Sequence, residues 1–236
     1  FDEFRTWLAR VSDVTALFNT ADIVEWNTDK RYLRDLAAVS VPIVPTVFLD
    51  PADLDTVDWQ PPAGATDLVV KPAVSAGSNN TLRHNVDDSL DDARAHVQRL
   101  LDDGRVVMVQ PYLDLVDTHG ETALLFFDGR FSHAIRKGQM LERGVAFTID
   151  GLFLQESIEP RRPSDDELQT AEQVIAALTE RFCTPLYARV DLIPDADGRP
   201  HLLELELTEP SMLLSHGDGA ATRFAAAIAA RVAARR

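Results

Sequence analysis

Apolar residues recur along this chain at two periods, and the elements change where the period changes. Phe4, Trp7, Leu8 and Val11 fall at helical spacing, so residues 1–27 read as a short helix and a connector. Tyr32, Leu33, Leu36 and Ala37 share one face of a helix predicted from the capping pair Asn27-Thr28 to Ala38. Val41-Pro42-Ile43-Val44-Pro45 is a short extended piece, and the Pro- and Asp-rich residues 50–66 form a loop. Leu68-Val69-Val70-Lys71 predicts a strand ended by Pro72, followed by a loop of small residues over 73–80. A helix over 89–101 leads to a strand over 106–110, which Pro111 stops. Residues 121–128 and 130–137 alternate as a hairpin across Asp128-Gly129, a dipeptide suited to a two-residue turn. Ser164 with Glu167 forms a capping box opening a helix to about Phe182. Strands over 186–193 and 201–207 and an Ala-rich helix near Arg236 complete the chain.

Helices and strands mix without strict alternation, so the pattern predicts an α+β fold of two lobes rather than a doubly wound parallel sheet. Hydrophobic residues at 45% and charged residues at 26% are ordinary for a soluble globular protein. No apolar run approaches the roughly 20 residues that cross a bilayer, so no membrane partner is expected. Phe1-Asp2-Glu3-Phe4 does not open a secretory signal. Cys183 is the single cysteine, so no disulfide can form within the chain and a reducing, cytoplasmic compartment fits. It stands before Thr184-Pro185 with nothing to activate it, and reads as a small buried hydrophobe. The net charge of −15 argues against a nucleic-acid partner. It also means that any polyphosphate site must gather its own cations against a repulsive field.

The run from Arg189 to Glu206 carries the strongest local chemistry. With Asp197-Gly198 at the centre of the turn, Asp191 faces Glu204 and Arg189 faces Glu206. Strand alternation puts these four on one sheet face, with Val190, Leu192, Leu203 and Leu205 on the other. Three carboxylates within about 4–5 Å would repel by roughly 3–4 kcal/mol per pair, so a cation is expected among them. Oxygen ligands suit Mg²⁺ or Mn²⁺. The same alternation also fits a solvated, charged outer face; Arg189 leans toward the metal, because a cation beside it serves phosphoryl oxygens.

Other residues suggest phosphate and base contacts. Lys71 ends a strand ahead of Ser75-Ala76-Gly77-Ser78, where small residues let the backbone approach a polyanion. That loop is neither a P-loop nor a Gly-x-Gly-x-x-Gly motif, and a loop of this composition alone is more often just a loop. Lys30 in a first helical turn opposes the helix dipole, which fits a functional cation, although a solvated lysine is the commoner explanation of such a position. Gln110-Pro111-Tyr112-Leu113 exposes backbone groups to an adenine edge, or simply ends a strand. Arg136 and Lys137, adjacent on a strand, point to opposite faces, so one can reach a site while the other is solvated.

Taken in order, Lys30, Lys71 with its loop, Gln110-Pro111-Tyr112-Leu113 with Asp117, Arg136-Lys137, Arg189-x-Asp191 and Glu204-x-Glu206 resemble the ATP-grasp superfamily. The likeness is to its RimK-like and D-alanine–D-alanine-ligase-like members and spans about residues 26–215. Within them, 26–33 (Trp-Asn-Thr-Asp-Lys-Arg-Tyr-Leu) and Glu204-Leu205-Glu206 with Glu209-Pro210-Ser211 resemble the cyclo-ligases of cycloserine biosynthesis. The resemblance implies two α+β lobes with ATP between them: a small lobe over 28–114 and a large lobe with the metal site over 115–236. It implies that Lys30 and Lys71 hold the α- and β-phosphates under the loop Ser75, Ala76, Gly77 and Ser78. Gln110, Pro111, Tyr112 and Leu113 bracket adenine, and Asp117 takes the ribose hydroxyls. Asp191, Glu204 and Glu206 hold two Mg²⁺, for which Mn²⁺ can substitute. Arg189, with Arg136 or Lys137, stabilises charge on the transferred phosphoryl group, and the product of the first step is an acyl phosphate. The substrate is a small molecule of the amino-acid class, and self-association is compatible with this. A kinase on the same fold and a non-catalytic nucleotide-binding module are the alternatives. Three departures from the family stand out: Glu206 where many relatives have Asn, Ala123 where they often have arginine, and Ser211 where glycine follows the proline. Relatives carry an N-terminal domain before the first lysine, so residues 1–27 are expected to be its remnant or a linker.

Overall fold

The strands sort into two separate antiparallel sheets, each backed by its own helix. The computed structural model describes residues 1–53, 59–77, 79–138 and 157–234. The smaller sheet holds β1 (Val47–Leu49), β2 (Asp67–Pro72), β3 (Leu82–Asn85) and β4 (Val107–Pro111), in the order β1-β4-β2-β3. The larger holds β5 (Glu121–Phe127), β6 (Arg130–Lys137), β7 (Ile158–Arg161), β8 (Tyr187–Pro194) and β9 (Pro200–Glu206), in the order β7-β6-β5-β8-β9. The helices are α1 (Asp2–Val14), α2 (Ala21–Thr28), α3 (Tyr32–Ala38), α4 (Leu90–Asp102), the single turn α5 (Val116–His119), α6 (Asp165–Arg181) and α7 (Ala220–Ala233). This is the α+β architecture that the pattern predicts.

Alternation decides which face of each sheet is core. In the small sheet Leu68, Val70, Val107 and Val109 pack on Val97 and Leu100 of α4. Val69, Lys71, Arg83 and Gln110 therefore lie on the opposite face. In the large sheet Leu124, Phe126, Val190 and Leu192 pack on Val174 and Leu178 of α6, leaving Glu121, Lys137, Arg189 and Asp191 on the other. The capping box holds: Glu167 N–H donates to Ser164 Oγ, and the Glu167 carboxylate accepts from Ser164 N–H. Asp128 and Gly129 both have positive φ, 50° and 73°, as a two-residue turn of the mirror-image type requires.

The predicted helix from Asn27-Thr28 is corrected. Thr28 ends α2, and a second helix begins at Tyr32. Asn27 caps nothing; its buried amide donates to Leu205 O at 2.7 Å and accepts from Leu207 N–H at 2.9 Å, and the Tyr32 hydroxyl holds both backbone groups of Leu205. With Val44 N–H donating to Leu202 O and Pro42 O accepting from Leu202 N–H, these contacts satisfy the outer edge of β9, which would otherwise be open to another strand. The strands β1, β3 and β7 lie outside what the pattern predicts. Residues 54–58 of the predicted loop lie outside the described residues.

Candidate functional site

The β8–β9 hairpin has the expected pairing where it matters: Arg189 opposes Glu206 and Asp191 opposes Glu204. Past Asp191 the register shifts, so Leu192 meets Leu202 and Pro194 meets Pro200. The turn therefore spans residues 195–199, and the Asp195 carboxylate accepts from Asp197 and Arg199 N–H. The expected core residue Leu203 is corrected accordingly: Leu202 is fully buried in the core and Leu203 only half-buried. A bulge absorbs the extra residue and leaves the acidic end in phase.

On the site face, charges of both signs interleave. Asp191 is buried between Lys137 Nζ at 2.7 Å and the Arg189 guanidinium at 2.9 Å. Lys137 also meets Glu121 at 2.5 Å, and Arg189 pairs with Glu206. Lys30 donates to Ser75 O at 2.8 Å and lies 3.2 Å from Glu204 Oε1, so it ties the small-residue loop to the hairpin. Lys71 is buried close enough to Glu204, Lys30 and Glu121 to feel all three charges.

These groups titrate unusually. Burial alone would raise the Asp191 carboxyl, but Arg189 and then Lys137 hold it well below the usual carboxylate range. Burial lifts Glu121 to about 7, against the pull of Lys137 and with a push from Asp191. Burial, then the negative Asp191, lifts Glu206 to about 8, against Arg189. Burial lowers Lys71 to about 8, although Glu204 resists. Burial thus works against the negative charge of Glu121 and Glu206, while Lys30, Lys71, Lys137 and Arg189 gather around the carboxylates. Such a concentration of cations inside a strongly acidic chain suits a polyanion.

Arg136 and Lys137 point to opposite faces. Lys137 joins the charged cluster, whereas Arg136 donates to the carbonyls of Thr118 and His119 behind the sheet. A bulge selects between them. From the turn outward Phe127 meets Arg130 and Phe126 meets Phe131, but then Leu125 meets His133, so Ser132 is extra. Without it Glu121 would oppose Arg136; with it Glu121 opposes Lys137.

Glu204 and Glu206 are partly open to solvent, with side chains 31% and 22% exposed. Among the described residues no group of three acidic, histidine or cysteine side chains converges as a metal cage, because cations separate them. The donor chemistry still fits a hard cation: three carboxylates share one face, and Glu206 is raised by burial and by negative neighbours that added positive charge would offset.

At the far end of the small sheet, Gln110 is buried and donates to Thr46 Oγ1 at 2.9 Å. The Tyr112 hydroxyl donates to Asp117, and the guanidinium of Arg83 lies 3.4 Å from the centroid of its ring. Pro111 and Leu113 flank Tyr112, and both are half-buried. Of the small-residue loop, Ser75 is half-buried, Ala76 and Gly77 are exposed, and Gly77 takes a positive φ of 61°; Ser78 lies outside the described residues. Sequence reasoning misses Glu121 and Arg83. For Glu121 the signal is its place opposite Lys137 in a predictable hairpin; Arg83 leaves none, since its partners are distant in sequence.

No family model matches the chain. It is 39% identical over 239 residues to the cycloserine biosynthesis protein DcsG of Streptomyces lavendulae, covering 98% of this chain and 78% of that protein. Among solved structures, D-cycloserine synthetase DcsG superposes with a TM-score of 0.84 at 37% identity, over 98% of this chain and 78% of the other. The ATP-grasp ligase PsnB, solved with minimal precursor, Mg and ADP, gives 0.61 at 19% identity over 97% and 66%. D-alanine–D-alanine ligase of Bacillus anthracis, solved with ATP, gives 0.58 at 17% over 86% and 63%. The last two speak for the fold alone, while the first relative and its structure match in sequence across nearly the whole chain. This chain is a member of the ATP-grasp family of ATP-dependent ligases, alongside DcsG.

Proposed function

We propose that the charged cluster between the two sheets is the ATP site of a carbon–nitrogen ligase that closes a ring within an amino-acid derivative. One observation carries this reading. Lys30, Lys71, Lys137 and Arg189 come from four separate segments and meet Asp191, Glu204 and Glu206 on one face, in a chain similar to a D-cycloserine synthetase. Lys30 and Lys71 hold the α- and β-phosphates, and Ser75, Ala76 and Gly77 lie over them. Gln110, Pro111, Tyr112 and Leu113 flank the adenine, with Asp117 at the ribose. Asp191, Glu204 and Glu206 hold two Mg²⁺, or Mn²⁺ in their place. Bound there, the metal neutralises phosphate charge and polarises the phosphoryl group.

In the first step a substrate carboxylate oxygen attacks the γ-phosphorus, the bond to the β,γ-bridging oxygen breaks, and ADP leaves. Arg189 and Lys137 stabilise the charge that develops on the transferred phosphoryl group; Arg136 is no longer assigned to that role, because its guanidinium is engaged behind the sheet. In the second step an amine-type nitrogen of the same molecule attacks the acyl carbon and loses its proton, and phosphate departs. In this reading the small lobe covers 28–114 and the large lobe 115–236. The small sheet falls within 47–111 and the large within 121–206, although α2 and α3 pack on the large sheet's core. The free thiol of Cys183 fits a small-molecule enzyme of the reducing cytoplasm. No described helix is long and apolar enough to cross a membrane.

Hydroxylamine trapping tests the chemistry. With ATP, Mg²⁺ and the acid substrate, an acyl phosphate yields a hydroxamate; a stable phosphate ester in its place would identify a kinase. The lowered Lys71 gives a second test. Lys71 carries its charge below about pH 8 and loses it above. Affinity for ADP should therefore fall as pH rises from 8 to 9.5, by up to about tenfold per unit, because phosphate must restore the proton. Calorimetric titration across that range checks it, and Lys71→Arg should flatten the profile.

A further inference from the structure

Arg83 is more deeply committed than a strand residue in a small sheet needs to be. It stands in β3 opposite Val69, whose other neighbour is Gln110. Arg83, Val69 and Gln110 thus form one row on the face that carries Lys71 two residues further along β2. The guanidinium is buried at 6% exposure, and Asp67 beside it is fully buried. Arg83 Nε and Nη2 lie 2.6 and 2.5 Å from Asp67 Oδ2. The other Asp67 oxygen accepts from Asn85 at 2.8 Å, and the Asp67 carbonyl accepts from Tyr112 N–H at 2.9 Å.

That pairing alone would satisfy a buried carboxylate. Yet the remaining surface of the guanidinium is turned to the segment after β4. Its plane lies over the Tyr112 ring, 3.4 Å from the centroid. Its Nη1 reaches 3.8 Å from Asp117 Oδ2, and Nη2 is 3.7 Å from Asp114. The Tyr112 hydroxyl donates to the other oxygen of Asp117. Asp117 is held from two sides, and a carboxylate so held keeps lone pairs for further donors.

We propose that Arg83 is a positioning residue that, through the Tyr112 ring and the Asp117 carboxylate, aims Asp117 at the ribose hydroxyls of the nucleotide. The proposal rests on the ATP reading above and adds to it the element that sets discrimination between ribo- and deoxyribonucleotides. Arg83 itself touches no substrate. Asp67, fixed in position by its burial on β2, anchors Arg83, and Arg83 orders the segment 112–117.

The test is calorimetry of ADP, 2′-deoxy-ADP and 3′-deoxy-ADP with Mg²⁺ on the wild-type chain and on R83M, R83K, Y112F and D117N. A hydrogen bond to a charged acceptor distinguishes such ligands by about ten- to a hundredfold. Wild type should prefer ADP over at least one deoxy form by that factor. D117N should lose most of the preference, and R83M should bring the ratio to within about threefold of one, with R83K between. Y112F leaves the Asp67–Arg83 pair in place and should lower the ratio even if R83M fails to fold. A purely structural Arg83 would lower the melting temperature and weaken every ligand equally, leaving the ratio unchanged; that result, or an unchanged ratio in Y112F, overturns the proposal. Failure of the wild type to bind any of the three overturns the ATP reading instead, and the proposal with it.

Discussion

Glu204→Gln should abolish ATP turnover, lowering ADP release by roughly 10³-fold, a loss typical of removing an electrostatic group from a reacting centre. The substitution keeps the shape of the side chain and removes one negative charge. Glu204 has a half-open position on the edge strand β9 and pairs with Lys30 at 3.2 Å. Water reaches the Glu204 side of this pair, and Lys30 keeps its hydrogen bond to Ser75 O, so the melting temperature should move by no more than a few degrees. Loss of turnover with an intact fold would place Glu204 at the metal. A coupled assay for ADP, run beside a thermal melt, decides it: near-normal ADP release would remove Glu204 from the catalytic set, and Asp191 and Glu206 would then need another purpose.

Much of this site is legible in the sequence, and the reasons are local. Arg189, Asp191, Glu204 and Glu206 alternate with Val190, Leu192 and Leu205, and alternation fixes a sheet face whatever the rest of the fold does. The bulge beyond Asp191 is not legible. Leu202 and Leu203 are both apolar, so either satisfies the pattern, and only packing beneath α6 selects Leu202. The start of α3 is misread for a related reason: Asn27 and Thr28 are favoured capping residues, and nothing local shows that the Asn27 amide is spent on Leu205 and Leu207 instead. The strand β3 is invisible because its polar residues are buried by distant partners, Arg83 by Asp67 and His84 by His96, whose rings meet at 3.2 Å. The choice between Arg136 and Lys137 depends on one extra residue, Ser132, and no propensity of serine announces a bulge.

Asp191→Ala should be the most destabilising single change in the cluster, costing about 3–5 kcal/mol, the range for breaking one member out of a buried ion pair. Asp191 is 2% exposed, and both of its oxygens are engaged by Lys137 and Arg189. Removing it leaves two buried cations facing Glu121 and Glu206, both of which burial holds near or above neutral pKa. For a chain of this size 1 kcal/mol moves the melting temperature by about 2–4 °C, so a drop of roughly 6–20 °C is expected. Acid should imitate the mutation. The Asp191 carboxyl titrates below its unfolded value, so its contribution is complete above about pH 4 and is lost as pH falls further. Wild type should therefore lose stability on acidification more steeply than Asp191→Ala does. Replacing Asp191 and Lys137 together by Leu and Met should recover much of the loss while leaving the protein inactive, because an apolar pair of similar volume often matches a buried ion pair. Melting curves of wild type and of the single and double variants at pH 7 and at about pH 2, inside the window where the contribution of Asp191 is lost, check both statements. Equal melting temperatures for wild type and Asp191→Ala would mean that Lys137 and Arg189 are compensated elsewhere and that the carboxylate is retained for chemistry alone.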